Sequence, residues 1–398
     1  MKEDYALERA KTLRDLVRRH SKWRNLKTLN LMASENFASS EVRNFLSSDL
    51  SNRYTARDHF YRGTKYSDEI ELLASEVARK LFNAKFADIR PLSGHTCSLI
   101  LFMSFLRPGN RIVTCPPKYG GYPGSSELGL GPLLSLTNVY FPYDADRMNI
   151  IPPHTVSLLK KVKPEMTVFG SSFIPFPYDI KKSLPEDYSG VKAYDGSHVL
   201  GLIAGGEFQQ PLSEGCSVLV GSTHKSFFGP QGGLIVSNDE SIFSVIQQKI
   251  FPGIVDNIHL NRVASLTCAM LEMLKFGKKY AKQVISNSKM LARALYELKI
   301  PVKCASIGFT QSHQVLLGYD ERKSAYAADI LEAIDVITDV GVRLGTSEIT
   351  RMGMKEEEMQ KIAEIIADAL MEKQSRKKLR RKVHRLVSEF NEPKFTLV

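Results

Sequence analysis

The chain predicts an α/β fold, with a large domain on a mostly parallel sheet and a smaller C-terminal α+β domain. Three observations carry this. Between about residues 86 and 240, short apolar, β-rich runs alternate with helical or loop segments. From about 258 a long helical periodicity runs through Leu274 to Leu298, and a compact mixed segment follows it. The 398 residues, 43% of them hydrophobic, suffice for one large core and a second, smaller one.

In chain order, residues 1 to about 25 read as an amphipathic helix, with Leu7, Ala10, Leu13, Leu16 and Val17 on one face. Leu31 to Tyr66 is rich in Ser, Asn, Arg and Tyr, a composition that goes with functional loops rather than core. Residues 68–83 read as helix through Ile70, Leu72, Leu73, Val77 and Leu81. Strands are expected at Ile112–Thr114, Met166–Phe169, Val191–Tyr194 and Ser217–Val220, and in the C-terminal part near Val315–Leu317 and Val342–Leu344. No internal repeat is visible. The division expected is an N-terminal helical arm over 1–30, a large domain over 31–280 and a small domain over 281–398.

Composition narrows the function classes. The five cysteines, Cys97, Cys115, Cys216, Cys268 and Cys304, are odd in number and scattered, and no CxxC pair occurs. They read as reduced thiols of a cytoplasmic protein, with neither a disulfide framework nor a metal site. The N-terminus is charged and lacks an apolar signal core, and no apolar run approaches the roughly 20 residues of a membrane span. The net charge is +11, with much of the excess between Lys373 and Arg385. Such a segment suits a nucleic acid or an anionic membrane. However, Leu379, Val383, Leu386 and Val387 recur through it at helical spacing. The preferred reading is a packed helix with a solvated basic face, and neither nucleic acid nor membrane is expected as a partner.

The chemistry concentrates in three places. Thr223-His224-Lys225 follows the apolar run Val218–Val220 and precedes the turn Gly229-Pro230-Gln231-Gly232-Gly233, after which Leu234-Ile235-Val236 resumes a strand. An amine on a tight loop between strands can form a Schiff base with an aldehyde. Asp195-Gly196-Ser197-His198 lies at the end of another strand, thirty positions earlier. Ser93-Gly94-His95-Thr96 opens a helical run, where free backbone N–H groups and the helix dipole favour an anion. A lysine for an aldehyde, a carboxylate for a pyridine nitrogen and an anion site for a phosphate together suit pyridoxal phosphate (PLP). Each feature alone has a plainer reading: a surface lysine, a turn cap, an ordinary helix cap. Arg343, on a short C-terminal strand, could hold a carboxylate through two parallel hydrogen bonds or form a surface ion pair.

These residues resemble the serine hydroxymethyltransferase family over nearly the whole chain. Leu31-Met32-Ala33-Ser34-Glu35-Asn36-Phe37 is similar to its "ASEN" stretch, and Tyr61-Arg62-Gly63 to "YYGG". Ser93-Gly94-His95 resembles "SGS", and Asp195 to Leu202 resembles "DxAHxxGL". Thr223-His224-Lys225 with Gly229 to Gly233 resembles "THK…GPRGG". Phe251-Pro252-Gly253 and the run from Arg343 to Met354 fit later motifs, the last most like the archaeal branch.

The resemblance implies a fold-type-I, aspartate-aminotransferase-like PLP enzyme of amino-acid and one-carbon metabolism. Lys225 would carry the cofactor, Asp195 would face its pyridine nitrogen, and His198 would lie near its ring oxygen. Ser93, Gly94 and His95 would hold the phosphate. Tyr122, Ser172, Ser222 and His224 would complete the cofactor site. Arg343 would bind the substrate carboxylate, with Ser34 nearby. Tyr54 and Tyr61 would reach into a neighbouring subunit, which implies a homodimer with shared sites. The implied reaction cleaves serine between Cα and Cβ, leaving glycine and passing the one-carbon unit to tetrahydrofolate or another tetrahydropterin.

Four positions depart from the family pattern. The glutamate of "YAEG" falls at Ala56, which cannot move a proton. The last histidine of "HGGH" is Tyr122, which still offers an aromatic face. The arginine of "GPRGG" is Gln231, and "SGS" ends in His95. The PLP residues are spared and the carrier side is altered, so Glu35 or His59 becomes a candidate replacement base. Two alternatives stay open: a carrier-independent aldolase on threonine or allo-threonine, and an aminotransferase or racemase on the same fold.

Overall fold

The computed structural model describes residues 2–55, 60–341 and 343–397. Seven strands form the central sheet: β1 (Phe86–Asp88), β2 (Arg111–Thr114), β3 (Thr137–Tyr140), β4 (Met166–Phe169), β5 (Val191–Asp195), β6 (Val218–Ser222) and β7 (Gly233–Ser237). Their order across the sheet is β1-β7-β6-β5-β4-β2-β3. The run from β6 to β3 is parallel, and β7 alone runs antiparallel, to both β6 and β1. The exception has a covalent cause. Only the loop 223–232 separates β6 from β7, too short for the helical crossover that a parallel return needs.

Strands β4, β6 and β7 are buried along their full lengths. This is why their sequences are continuous apolar runs rather than alternations: both faces are covered. One face packs Phe169, Tyr194, Leu219 and Leu234 against Val263, Leu266 and Met270 of the long helix Leu260–Glu297. The other packs Ile112, Val168, Val220 and Ile235 against Ile100 and Leu101 of the helix Gly94–Phe105.

A second apolar cluster gathers Leu29 and Leu31 with Leu291, Leu295, Ile330, Leu344, Ile362 and Ile366. Leu29–Asn30 pairs in parallel with Val336–Ile337, so the chain just after the first helix (Lys2–Leu26) is stitched to the C-terminal part. Strands β8 (Gln314–Leu316) and β9 (Arg343–Gly345) pair antiparallel beside it. The long helix is common to both clusters, with Val284 in the first and Leu291 in the second. At 38 residues it forms a rod of about 57 Å.

The basic segment is the helix Arg376–Ser388. Leu379, Val383, Leu386 and Val387 are its buried stripe, and its cations lie outside. Arg380 and His384 both reach Asp335, which also accepts from the Trp23 indole of the first helix at 3.0 Å. The cationic face is thus partly used in packing, as the apolar spacing suggests. The first helix is otherwise exposed, including Leu7, Leu13, Leu16 and Val17.

Arg351 ties the C-terminal stretch and the loop after the first helix to the interior. Its side chain is fully buried. It donates to Glu272 of the long helix at 2.5 Å, to the Phe395 carbonyl at 2.7 Å and to the Phe37 carbonyl at 3.3 Å. Its guanidinium lies 3.7 Å from the ring centre of Phe228, three residues after Lys225. Removing one partner of a buried ion pair strands the other charge and costs about 3–5 kcal/mol. Arg351→Met is expected to lose that much in urea unfolding, and adding Glu272→Met should recover part of it by removing the orphaned carboxylate.

Candidate active site

Parallel pairing sets the first two groups side by side. Asp195 ends β5 and is in register with Val220 of β6, and Lys225 follows the end of β6. Both therefore emerge at the carboxyl edge of the sheet, where ligands bind in such folds. Asp195 accepts from the Ser197 N–H at 2.9 Å, which closes the turn after β5 and directs the carboxylate.

A cavity of about 230 Å³ opens here, lined by Ser93, Gly94, His95, Tyr122, Ser171, Ser172, Asp195, Ser197, His198, Ser222, His224 and Lys225. All ten residues expected around the cofactor lie on its wall. Ser171 and Ser197 are additional. Ser197 Oγ accepts from the Ser222 N–H at 3.0 Å and so joins the ends of β5 and β6.

The helix Gly94–Phe105 begins at the cavity, with Ser93 capping it by accepting from the Thr96 N–H at 3.0 Å. Gly94 is there for space rather than for backbone freedom. A Cβ on it would sit 2.9 Å from Ser197 Oγ and 3.1 Å from Ser222 Cβ. His95 meets Tyr122 through a 3.1 Å contact between Nδ1 and the phenol oxygen. A helix N-terminus with three small or hydroxyl residues is suited to a phosphate. Together with the carboxylate and the half-buried amine, these residues fit PLP.

Burial governs the electrostatics. Lys225 is pushed down to about 8, mainly by burial, with Arg343 adding to the fall and Asp195 opposing it. His198, beside it at 3.3 Å, is held well below its usual value by burial and by the Lys225 charge. His224 is lowered to about 4 and His313 to about 3, again chiefly by desolvation. The cavity thus keeps neutral imidazoles around an amine that deprotonates near neutral pH.

The expected substrate residues lie elsewhere. Arg343 is buried behind the cavity wall, donating to Asp339 at 2.9 Å and to the Ser172 carbonyl, with its guanidinium 5.3 Å from the centre of the Phe173 ring. Ser34 follows Ala33, whose carbonyl accepts from His313 at 3.0 Å and whose backbone abuts Gly345. Tyr54 and Tyr61 are exposed and stacked on each other at 4.6 Å, away from this cavity. Glu35 is bound to Arg24 and Asn30, and its charge reaches His224. Ala56 and His59 lie outside the described residues.

Sequence reading missed His313 and Gln314. Their stretch, Ser312-His313-Gln314, carries no recognisable spacing. Only the approach of β8 to the sheet edge brings them near His198, whose ring lies almost parallel to that of His313.

Two outcomes follow. In cofactor-free protein, labelling of Lys225 by acetic anhydride, followed by peptide mass spectrometry, should rise with a midpoint near pH 8. An ordinary lysine is only roughly three in a thousand deprotonated at that pH. Acid stability gives the second. The unfolded chain binds protons at His224 and His313 below about pH 6.5, while the folded chain keeps them neutral down to about 4 and about 3. Their contribution is therefore present above 6.5 and lost as pH falls, by about 1.4 kcal/mol per pH unit for each group. Urea unfolding of His313→Gln between pH 6 and 4.5 should show a slope shallower by about that amount.

The comparisons agree with this geometry. The family model described as serine hydroxymethyltransferase matches residues 8–366. A serine hydroxymethyltransferase of Methanobrevibacter smithii is 40% identical over 87% of both chains. One from Methanocaldococcus jannaschii is 37% identical over 96% of this chain and 94% of its own. Among solved structures, L-threonine transaldolase from Pseudomonas fluorescens, in its internal aldimine state, superposes with a TM-score of 0.92 at 26% identity, covering 99% of this chain and 95% of that one. With a PLP-type cavity at the strand ends and relatives along nearly its full length, the chain belongs to the serine hydroxymethyltransferase family.

Proposed function

We propose that the protein cleaves serine between Cα and Cβ, leaves glycine and hands the one-carbon unit to a tetrahydropterin carrier. The observation that carries this reading is the half-buried, easily deprotonated amine of Lys225 near Asp195, in a chain of this family. Lys225 would hold the cofactor through its aldehyde. Asp195 would face the pyridine nitrogen and keep a proton there. Ser93, Gly94 and His95 would bind the phosphate, with Tyr122 against the ring. PLP, once bound, supplies an electron sink for the charge left on Cα when a bond to it breaks.

Arg343 would take the substrate carboxylate. Asp339 and the Ser172 carbonyl already engage its Nε and Nη1, which fixes the guanidinium plane, and Nη2 makes no hydrogen bond among the described residues. Ser34 would lie close by. The exposed apolar side chains of the first helix, together with Tyr54, Phe60 and Tyr61, support a homodimer in which the tyrosines complete a neighbouring site. Five buried cysteines, none in a disulfide, support a cytoplasmic setting.

A second reading has two supports of its own. Ala56 stands where the resemblance places a glutamate. The fold is also close to that of an L-threonine transaldolase. Carrier-independent cleavage of threonine or allo-threonine needs no group that serves a pterin, and Glu35 is then free of a catalytic duty.

Purified enzyme incubated with serine, with and without tetrahydrofolate, separates the two. Carrier-dependent glycine formation is expected, falling by about 10²–10⁴-fold in Lys225→Ala, the range for losing a proton-moving group. Threonine cleavage without carrier, alongside inert serine, would overturn the transferase reading in favour of the second.

A further inference from the structure

Gln314 is fully buried on β8 and makes three contacts that fix its direction. Its Oε1 accepts from the Ile174 N–H at 2.8 Å. Its Nε2 donates to the Ser172 carbonyl at 3.0 Å and faces His198 Nδ1 at 3.4 Å. A backbone N–H can only donate and a carbonyl can only accept, so the amide has one orientation that satisfies both. The second hydrogen on Nε2 then points at His198 Nδ1, which must present a lone pair. A neutral imidazole carries its proton on the other nitrogen. That nitrogen, Nε2, lies 3.3 Å from Lys225 Nζ.

We propose that Gln314 is a positioning residue that fixes His198 as the Nε2–H tautomer, so that the ring offers Lys225 a donor and favours its neutral amine. The direction of donation runs from the Gln314 amide through the imidazole to Nζ. An ammonium has no lone pair to accept with, so the chain disfavours the protonated form. The carbonyl of Ser172 also accepts from Arg343. The same short segment therefore orients the imidazole and the guanidinium together.

Other groups bear on the amine from each packed element. Asp195 on β5 opposes deprotonation, and Arg343 on β9 promotes it. His198 itself feels Arg343, His313 and His224 in addition to Lys225. None of these fixes which ring nitrogen carries the proton; Gln314 does. The proposal rests on Lys225 as the reacting nitrogen, but not on the substrate or carrier.

Cofactor-free, full-length protein provides the test. Ring ¹⁵N resonances, assigned through a His198→Gln control, report which nitrogen of His198 is protonated. The wild type should show Nε2–H. Gln314→Glu replaces the donor by an acceptor, and should move the proton to Nδ1 and raise the pH midpoint of Lys225 labelling by about one unit. At pH 8 that is a several-fold loss of labelling. Gln314→Met, which offers no donor, should show a tautomer mixture and a smaller shift. A wild-type ring protonated on Nδ1 overturns the proposal without any variant. So does a folded Gln314→Glu or Gln314→Met protein whose midpoint and tautomer match wild type, since Gln314 would then only tie β8 to residues 172–174. Failure of hydroxymethyl transfer would leave both readouts intact, so the two ideas fail separately.

Discussion

Partial desolvation of the Lys225 amine is the constraint on which the rest of the site depends. A solvated lysine is protonated at neutral pH and a poor nucleophile. Here the amine is half-buried on a cavity wall, at the edge of a sheet whose strands β4, β6 and β7 are covered on both faces. The core on either side of β6 is thus part of the chemistry. It holds the backbone at the strand end while the following loop folds back over it, with Thr223 accepting the Gly229 N–H on its carbonyl at 2.8 Å. Arg351 braces the same loop through Phe228 and links it to the Phe37 and Phe395 carbonyls.

Burial has a cost that the surrounding polar groups offset. His198 and His224 on the cavity wall, and His313 behind it, would repel the amine if charged; desolvation keeps each of them neutral, as it favours the neutral amine. Asp195 is the counterweight, an acidic group set beside the amine by the parallel register of β5 and β6. The second apolar cluster supplies what the sheet cannot. It carries β8 and β9 to the sheet edge, placing Gln314 against His198 and Arg343 against Ser172.

Much of this was legible in the residues. The apolar runs of β4, β6 and β7 stand out because strands covered on both faces have no polar alternation to blur them. The helix opening at Gly94 could be read from Ser93 as its cap. The stripe Leu379, Val383, Leu386 and Val387 showed that the basic segment packs. The antiparallel return of β7 was harder to see, since an apolar run carries no direction and only the short loop before it does. His313 and Gln314 were invisible for a different reason: their roles come from partners more than a hundred positions away.

The sequence alone determined the chemical inventory: one lysine on a tight loop, one carboxylate at a strand end, an anion site at a helix start, and the family these resemble. Those features are local, set by a few consecutive residues and their turn chemistry. The tertiary structure decided the state of that inventory. Whether an amine is neutral, which way an amide points, and which ring nitrogen keeps a proton depend on desolvation and hydrogen bonds from distant segments. No local pattern encodes them, because each is fixed by what the folded chain places within about 3 Å.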